Sequence, residues 1–404
     1  MKNERYLSTK AACYTGYFVQ AIINNLAPLF YVTFQKEFNI SYTKISWLIL
    51  INFLSQLVVD IASVKIVPKL GYRLSIVLAH IFSAAGLVLL GILPRLFNNH
   101  YAGLVIPVIT YAVGSGLIEV LISPLIEGLP TQNKSGEMSL LHSFYCWGQM
   151  SVVLLTTIVI KVIGSKNWIF LPILWAIVPA VNMISFTRVP IFTPVADGEK
   201  EMSVSELFKH KEFVLAALIM TGSGACEISI AQWASTFAEQ SLGVNKFTGD
   251  LLGPCLFAVL MGTGRVVYGF IGDKINIRKA LMVCSAGCAL SYLIISLSPV
   301  PIVSLIGCGL CGISASIMWP GVLSLGAKLF SKGGTAMFAV LAMFGDLGCA
   351  SGPWVTGLMS DIALNSDTIT MEPLKFGLMI CAAFPVVMLT FLSIIDIKSD
   401  TKVQ

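Results

Sequence analysis

Charge is scarce in this sequence: Asp, Glu, Lys and Arg make up 12% of its 404 residues, about half the share a soluble globular chain carries. So few charges cannot clothe a soluble domain of this size. Histidine is rarer still, with four scattered copies, which leaves little material for a nucleophile with its base or for a metal cluster and argues against a membrane-embedded enzyme. No GxGxxG and no phosphate loop occurs, so ATP-driven pumping by this chain alone is not expected. The ten cysteines all lie inside apolar runs, where thiols behave as small hydrophobes. Cys308-Gly-Leu-Cys311 has no second pair or histidine to make it a metal or redox motif. No disulfide, metal or cofactor is expected. Alternation of period two is missing too, which excludes a membrane β-barrel.

What is abundant is apolar surface: 56% of the residues are hydrophobic and the mean hydropathy is +0.83. The runs are long enough for helices that cross a bilayer. Punctuation by Lys, Arg, Asn, Gly and Pro predicts twelve spans, near 11–35, 45–64, 74–94, 103–126, 138–160, 168–187, 213–237, 249–271, 279–297, 302–327, 334–360 and 376–396. The first run, from Ala11 to Phe34, is too long for a signal-peptide core and lacks an A-x-A-like end, so it reads as a retained helix.

With both termini placed in the cytoplasm, the inner segments hold eighteen Lys and Arg and the outer ones seven, Arg265 lying inside span 8. That bias sets the expected orientation and accounts for the net charge of +5 without a nucleic-acid partner. The longest polar connection runs from Thr187 to Phe213 and reads as a solvated hinge. It divides the chain into an N-terminal half (1–187), a cytoplasmic linker (188–212) and a C-terminal half (213–404).

The halves repeat. Gly71-Tyr-Arg73 matches Asn276-Ile-Arg278, Gly116 with Pro124 matches Gly312 with Pro320, Cys146-Trp-Gly-Gln149 matches Met343-Phe-Gly-Asp346, and Thr33-Phe matches Thr236-Phe. The offsets are 205, 196, 197 and 203, in one order and all close to half the chain.

Two six-span halves with a basic loop after spans 2 and 8 resemble the major facilitator superfamily. The segment GFIGDKINIRK, Gly269 to Lys279, is similar to that superfamily's Gly-x-x-x-Asp-Lys/Arg-x-Gly-x-Arg/Lys signature, with Asn276 at its second glycine. In the first loop only Gly71 and Arg73 remain, and Pro68 holds the acidic position. An Asp at a helix end can face a neighbouring helix N-terminus and a basic residue. Asp273, with Lys274 and Arg278, is therefore the expected gate between the halves, and Asp60 and Arg265 are its candidate partners.

The resemblance implies twelve transmembrane helices with spans 1, 4, 7 and 10 around a central cavity. Polar groups lie on all four: Gln20, Asn24 and Asn25, then Glu119, then Glu227 and Gln232, then Trp319. Charge at mid-bilayer is expensive, from about 3 to more than 10 kcal/mol, so such groups usually face a cavity or a partner. Gln20 and Asn24 share a helix face, as do His142, Tyr145 and Gln149 on span 5. Aromatic rings and amides on one face suit a sugar, and the same groups can serve interhelical hydrogen bonds. Asp346 stands in the middle of span 11, open to a coupling or a packing role.

Four stretches are closer to one branch. IINNLAPLFYVTFQKEF, GLIEVLISPLIEGLP, HSFYCWGQ and IMWPGVLSLGAKLF resemble the fucose permease family of sugar symporters, whose span 4 carries a Glu-x-x-x-x-Pro arrangement that Glu119 and Pro124 fit. That family has an aspartate three residues after its second span 1 asparagine, working with the span 4 glutamate in proton coupling. Pro28 stands there in this sequence. The second carboxylate is therefore expected from Glu227, which the repeat aligns with Asn24. Sodium is the other coupling ion open to carboxylates with amide oxygens.

The expectation is a monomeric, multi-pass secondary transporter of the bacterial inner membrane. It binds a small polar solute, a monosaccharide by resemblance, through Gln20, Asn24, Asn25, His142, Tyr145, Gln149, Glu227, Gln232 and Trp319. It couples movement to an ion through Glu119, Glu227 and Asp346. Proton-coupled drug or metabolite efflux is the alternative, because GCASGPWVTG on span 11, Gly348 to Gly357, is similar to the Gly-Pro motif that efflux transporters carry on span 5.

Overall fold

The computed structural model describes residues 2–130, 134–192, 202–271, 275–330 and 333–395. Among these, twelve helices are long and apolar enough to cross a membrane: α1 (Tyr6–Phe38), α2 (Tyr42–Ser63), α3 (Tyr72–Leu96), α4 (His100–Ile126), α5 (Leu140–Ile163), α6 (Phe170–Arg188), α7 (Lys211–Ser241), α8 (Lys246–Ile271), α9 (Ile277–Leu297), α10 (Pro301–Leu329), α11 (Ala336–Leu364) and α12 (Pro373–Ile394). Each corresponds to one predicted span. Part of the inter-half connection, 193–201, lies outside the described residues.

The two six-helix halves are built alike, and the repeated residues explain how. Gly116 of α4 lets that helix lie directly on Gln56 and Val59 of α2, and its counterpart Gly312 of α10 lies against Phe257 of α8. A methyl group at either glycine would meet the neighbouring helix, so the missing side chain sets the interaxial distance. Arg73 at the start of α3 donates to the carbonyls of Phe186 (2.8 Å) and Val189 (2.9 Å) at the end of α6. Arg278 at the start of α9 donates to Leu392 and Ser393 at the end of α12, both at 2.7 Å. In each half an arginine thus satisfies carbonyls that a helix end leaves without partners.

α1 and α7 run through the middle of the bundle, and 83% of the core window of each is buried. Across the halves α2 packs along α11 and α5 along α8. The two interfaces are related by the repeat, since α2 corresponds to α8 and α5 to α11.

Among the described residues, and beside those at the centre of the bundle, a set of polar contacts joins the halves at the end away from the chain termini. There Lys36 meets Glu239 at 3.1 Å, Gln240 donates to Gln35 at 2.7 Å, and Tyr42 bonds Gln240. The Thr43 amide donates to Asp361 (2.7 Å) and Thr157 to Asp250 (2.7 Å). Rings pack beneath them, Tyr31 and Tyr42 each about 6 Å from Trp233 (5.8 and 5.9 Å).

Candidate functional site

Two prolines shape the centre. α1 is helical to Leu26, tightens into a 3-10 turn over Ala27–Phe30 and resumes at Tyr31. Pro28 has no N–H, so the carbonyl of Asn24, four residues back, loses its helical donor. Gln232 of α7 fills the place, its Nε2 donating to Asn24 O at 2.7 Å across the two halves. α10 is interrupted in the same way between Ala315 and Met318. Pro320 frees the carbonyl of Ser316, which accepts from Arg265 Nε at 3.3 Å.

Around these breaks the polar side chains of α1, α2, α4, α5 and α7 converge. Glu119 Oε2 accepts from Gln20 Nε2 at 2.7 Å. Asn24 Oδ1 accepts from both Asn52 Nδ2 and Gln56 Nε2, each at 3.2 Å, and Gln56 Oε1 accepts from Ser115 at 2.9 Å. Asn25 Nδ2 donates to the Tyr145 hydroxyl at 3.2 Å, while Gln232 Oε1 accepts from Tyr31 at 2.8 Å. A cavity of about 20 Å³ beside Asn24, Asn52, Tyr31 and Gln232 has room for roughly one water. A larger polar guest can enter only after these amides part.

Of the sequence-predicted contacts, Asn24 and Gln232 line this cavity together, while Gln20 bonds Glu119 and Asn25 bonds Tyr145. His142 is set edge-on to Tyr17, with ring centroids 5.3 Å apart. Gln149 is 1% exposed, and its buried Nε2 has no hydrogen-bond partner. Trp319 lies with its indole against Gly345 of α11.

The charged residues are arranged differently from the expectation. Arg265 was expected at the gate beside Asp273, but its guanidinium points into the bundle. Its Nη2 donates to both oxygens of Glu227, at 3.0 and 2.9 Å, and Nη1 reaches the Cys146 sulfur of α5 at 3.3 Å. Glu227, expected to supply a second carboxylate, is ion-paired with Arg265 of α8. Asp60, the other candidate gate partner, lies on α2 where that helix packs along α11, the helix of Asp346, and Asp60 Oδ1 and Asp346 Oδ2 are buried without a hydrogen-bond partner. Arg278 ties α9 to α12 inside one half and bridges nothing. Asp273 and Lys274 lie outside the described residues.

Sequence reasoning missed Asn52, Gln56, Ser115 and Tyr31. The signal for the first two was present: Asn52, Gln56 and Asp60 fall at i, i+4 and i+8 of one helix, a polar stripe inside an apolar span.

Residues 13–353 match the family model described as Major Facilitator Superfamily. No curated protein sequence matches the chain. Among solved structures, a variant of the fucose:proton symporter from E. coli superposes with a TM-score of 0.66 at 17% identity, covering 97% of this chain and 99% of that one. A D-xylose-proton symporter gives 0.79 at 14% identity, covering 99% and 100%. A variant of the nucleoside transporter NupG gives 0.74 at 12%, covering 96% and 99%. At such identities the likeness is one of fold.

Proposed function

The chain belongs to the Major Facilitator Superfamily and is a multi-pass membrane transporter, and from that premise we propose that its cargo is a monosaccharide carried with a proton. The observation that carries this reading is the set of five carboxamides, Gln20, Asn24, Asn25, Asn52 and Gln232, and two tyrosine hydroxyls from α1, α2, α5 and α7, hydrogen-bonded to one another or to one carboxylate whose nearest donor is an amide. Amides offer a donor and an acceptor together and so match vicinal hydroxyls, while Tyr17, His142 and Trp319 supply ring faces. The sugar and nucleoside transporters that share the fold are consistent with a hydroxyl-rich cargo.

Glu119 is the coupling group. Partly buried beside a neutral amide and paired with no cation among the described residues, it takes up a proton before the halves move. Substrate binds between residues 1–187 and 213–404, with 188–212 as the linker, and one half rocks against the other around the site. The protein works as a monomer in the bacterial inner membrane with both termini cytoplasmic, as the excess of Lys and Arg in the inner segments favours.

Efflux drew on the glycines of α11, and packing accounts for them. Gly348 lies against Thr221 and Ala225 of α7, and Gly352 against Ala225 and Ser229. They bring two helices of one half together.

Thermal unfolding of purified protein against a panel of monosaccharides, with and without sodium, tests the cargo. At least one sugar is expected to raise the midpoint whether or not sodium is present. Stabilisation by cationic amphiphiles and by no sugar overturns the reading.

A further inference from the structure

Of the carbonyls freed by Pro28 and Pro320, one is held from the other half. Ser316 O, released by Pro320 of α10, accepts from Arg265 of α8, and Arg265 is in turn held by Glu227 of α7. All three belong to the C-terminal half, so this contact stays whole when the halves rock. Asn24 O, released by Pro28 of α1, accepts from Gln232 of α7 at 2.7 Å. That bond crosses between the halves and has to break whenever they part.

α1 holds both ends of the Gln232 amide, since its Oε1 accepts from the Tyr31 hydroxyl at 2.8 Å, and the residue is 3% exposed. Asn24, Tyr31 and Gln232 line the cavity of about 20 Å³ together with Asn52 of α2. Asn52 is 7% exposed. Its Nδ2 donates to Asn24 Oδ1 at 3.2 Å, while its Oδ1 is buried without a hydrogen-bond partner. A buried acceptor left without a donor carries its full desolvation cost. Two residues of this cavity thus present acceptors that α1 and α2 do not serve: the Asn24 carbonyl, served by Gln232 while the halves are together, and Asn52 Oδ1. Once Gln232 withdraws, both call for donors. A hydroxyl can donate to a carbonyl oxygen as an amide N–H does, and a polyol brings several.

We propose that the Asn24 backbone carbonyl and Asn52 Oδ1 are cargo-binding acceptors for two hydroxyl donors of the sugar, and that Gln232 takes the place of cargo on that carbonyl in the empty carrier. Gln232 is then a competitor of the cargo and not one of its contacts. Loading exchanges one hydrogen bond for another: the amide N–H leaves Asn24 O and a cargo O–H replaces it. The inference deepens the monosaccharide reading and rests on it.

Isothermal titration of the purified protein with D-glucose, D-galactose, D-mannose, L-fucose and D-xylose reads the exchange. For a sugar that binds the wild type, Gln232→Leu is expected to lower the dissociation constant at least about fivefold, because no amide has to be displaced from the carbonyl. Pro28→Ala returns an N–H to Asn24 O from its own helix, and Asn52→Leu removes the second acceptor. Each is expected to raise the constant at least about fivefold. Unchanged or weaker binding in Gln232→Leu, or wild-type binding in Pro28→Ala or Asn52→Leu, overturns the proposal and leaves the monosaccharide reading standing, because a sugar still binds. Failure of all five sugars to bind the wild type and every variant counts against that reading and takes this inference with it. The three variants report separately, so failure of one to fold leaves the test standing on the others.

Discussion

A proline, an arginine and an acid decide the centre of this molecule, each through a group it lacks or cannot leave unpaired. Pro28 withholds an N–H and thereby hands the Asn24 carbonyl to Gln232 of the other half. Gln232→Leu leaves that carbonyl buried without a donor, so unfolding in detergent should occur with a loss of about 1–3 kcal/mol. Glu227→Gln strands the Arg265 guanidinium and should cost about 3–5 kcal/mol. Replacing both partners by Met should recover most of that loss in the same melting experiment. Glu119, Gln20 and the asparagines of α1 were legible in the sequence because a polar group in an apolar run has few explanations. Their partners were not, since periodicity orders residues on a face without saying which face a neighbouring helix offers. Arg265 shows the gap most clearly: its place inside a span was visible, but the loop signature beside it drew it toward Asp273, and only the crossing of α7 and α8 reveals Glu227.

At the scale of the element, small residues set how closely helices approach. The stripe Gly345, Gly348 and Gly352 seats α11 on α7 and receives the Trp319 ring. A side chain added at Gly348 would meet the Thr221 carbonyl, backbone that cannot step aside. Gly348→Leu is expected to lose at least about 1–3 kcal/mol through overpacking, whereas the same change at Gly164, which has open space around it and a φ of 81°, should disturb only the local turn. Thermal midpoints of the two variants compare them directly. The span boundaries and the repeat were readable because both rest on spacing along the chain. The residue equivalences also forecast contacts, as the twin arginines at α3 and α9 demonstrate.

Among the described residues the halves are joined by polar and aromatic contacts at the end distal to the termini. The exposed pair Lys36–Glu239 contributes at most about 1 kcal/mol, so the closure rests more on the aromatic packing around Trp233. A reducible bifunctional thiol cross-linker spanning Lys36→Cys and Glu239→Cys should hold that end shut. Transport in proteoliposomes is expected to stop on cross-linking and return on reduction of the linker, and a carrier that works equally well when cross-linked would refute the rocking movement.

In the mechanism proposed here that movement is tied to an ion, and Glu119 is the proposed tie. Proteoliposomes containing the Glu119→Gln protein, given an inward proton gradient and the sugar identified by thermal shift, test it most directly. The account predicts that gradient-driven accumulation is abolished while exchange of labelled for unlabelled sugar continues, because a permanently neutral side chain lets the loaded carrier move without a proton. Accumulation at the wild-type level in that variant would contradict it.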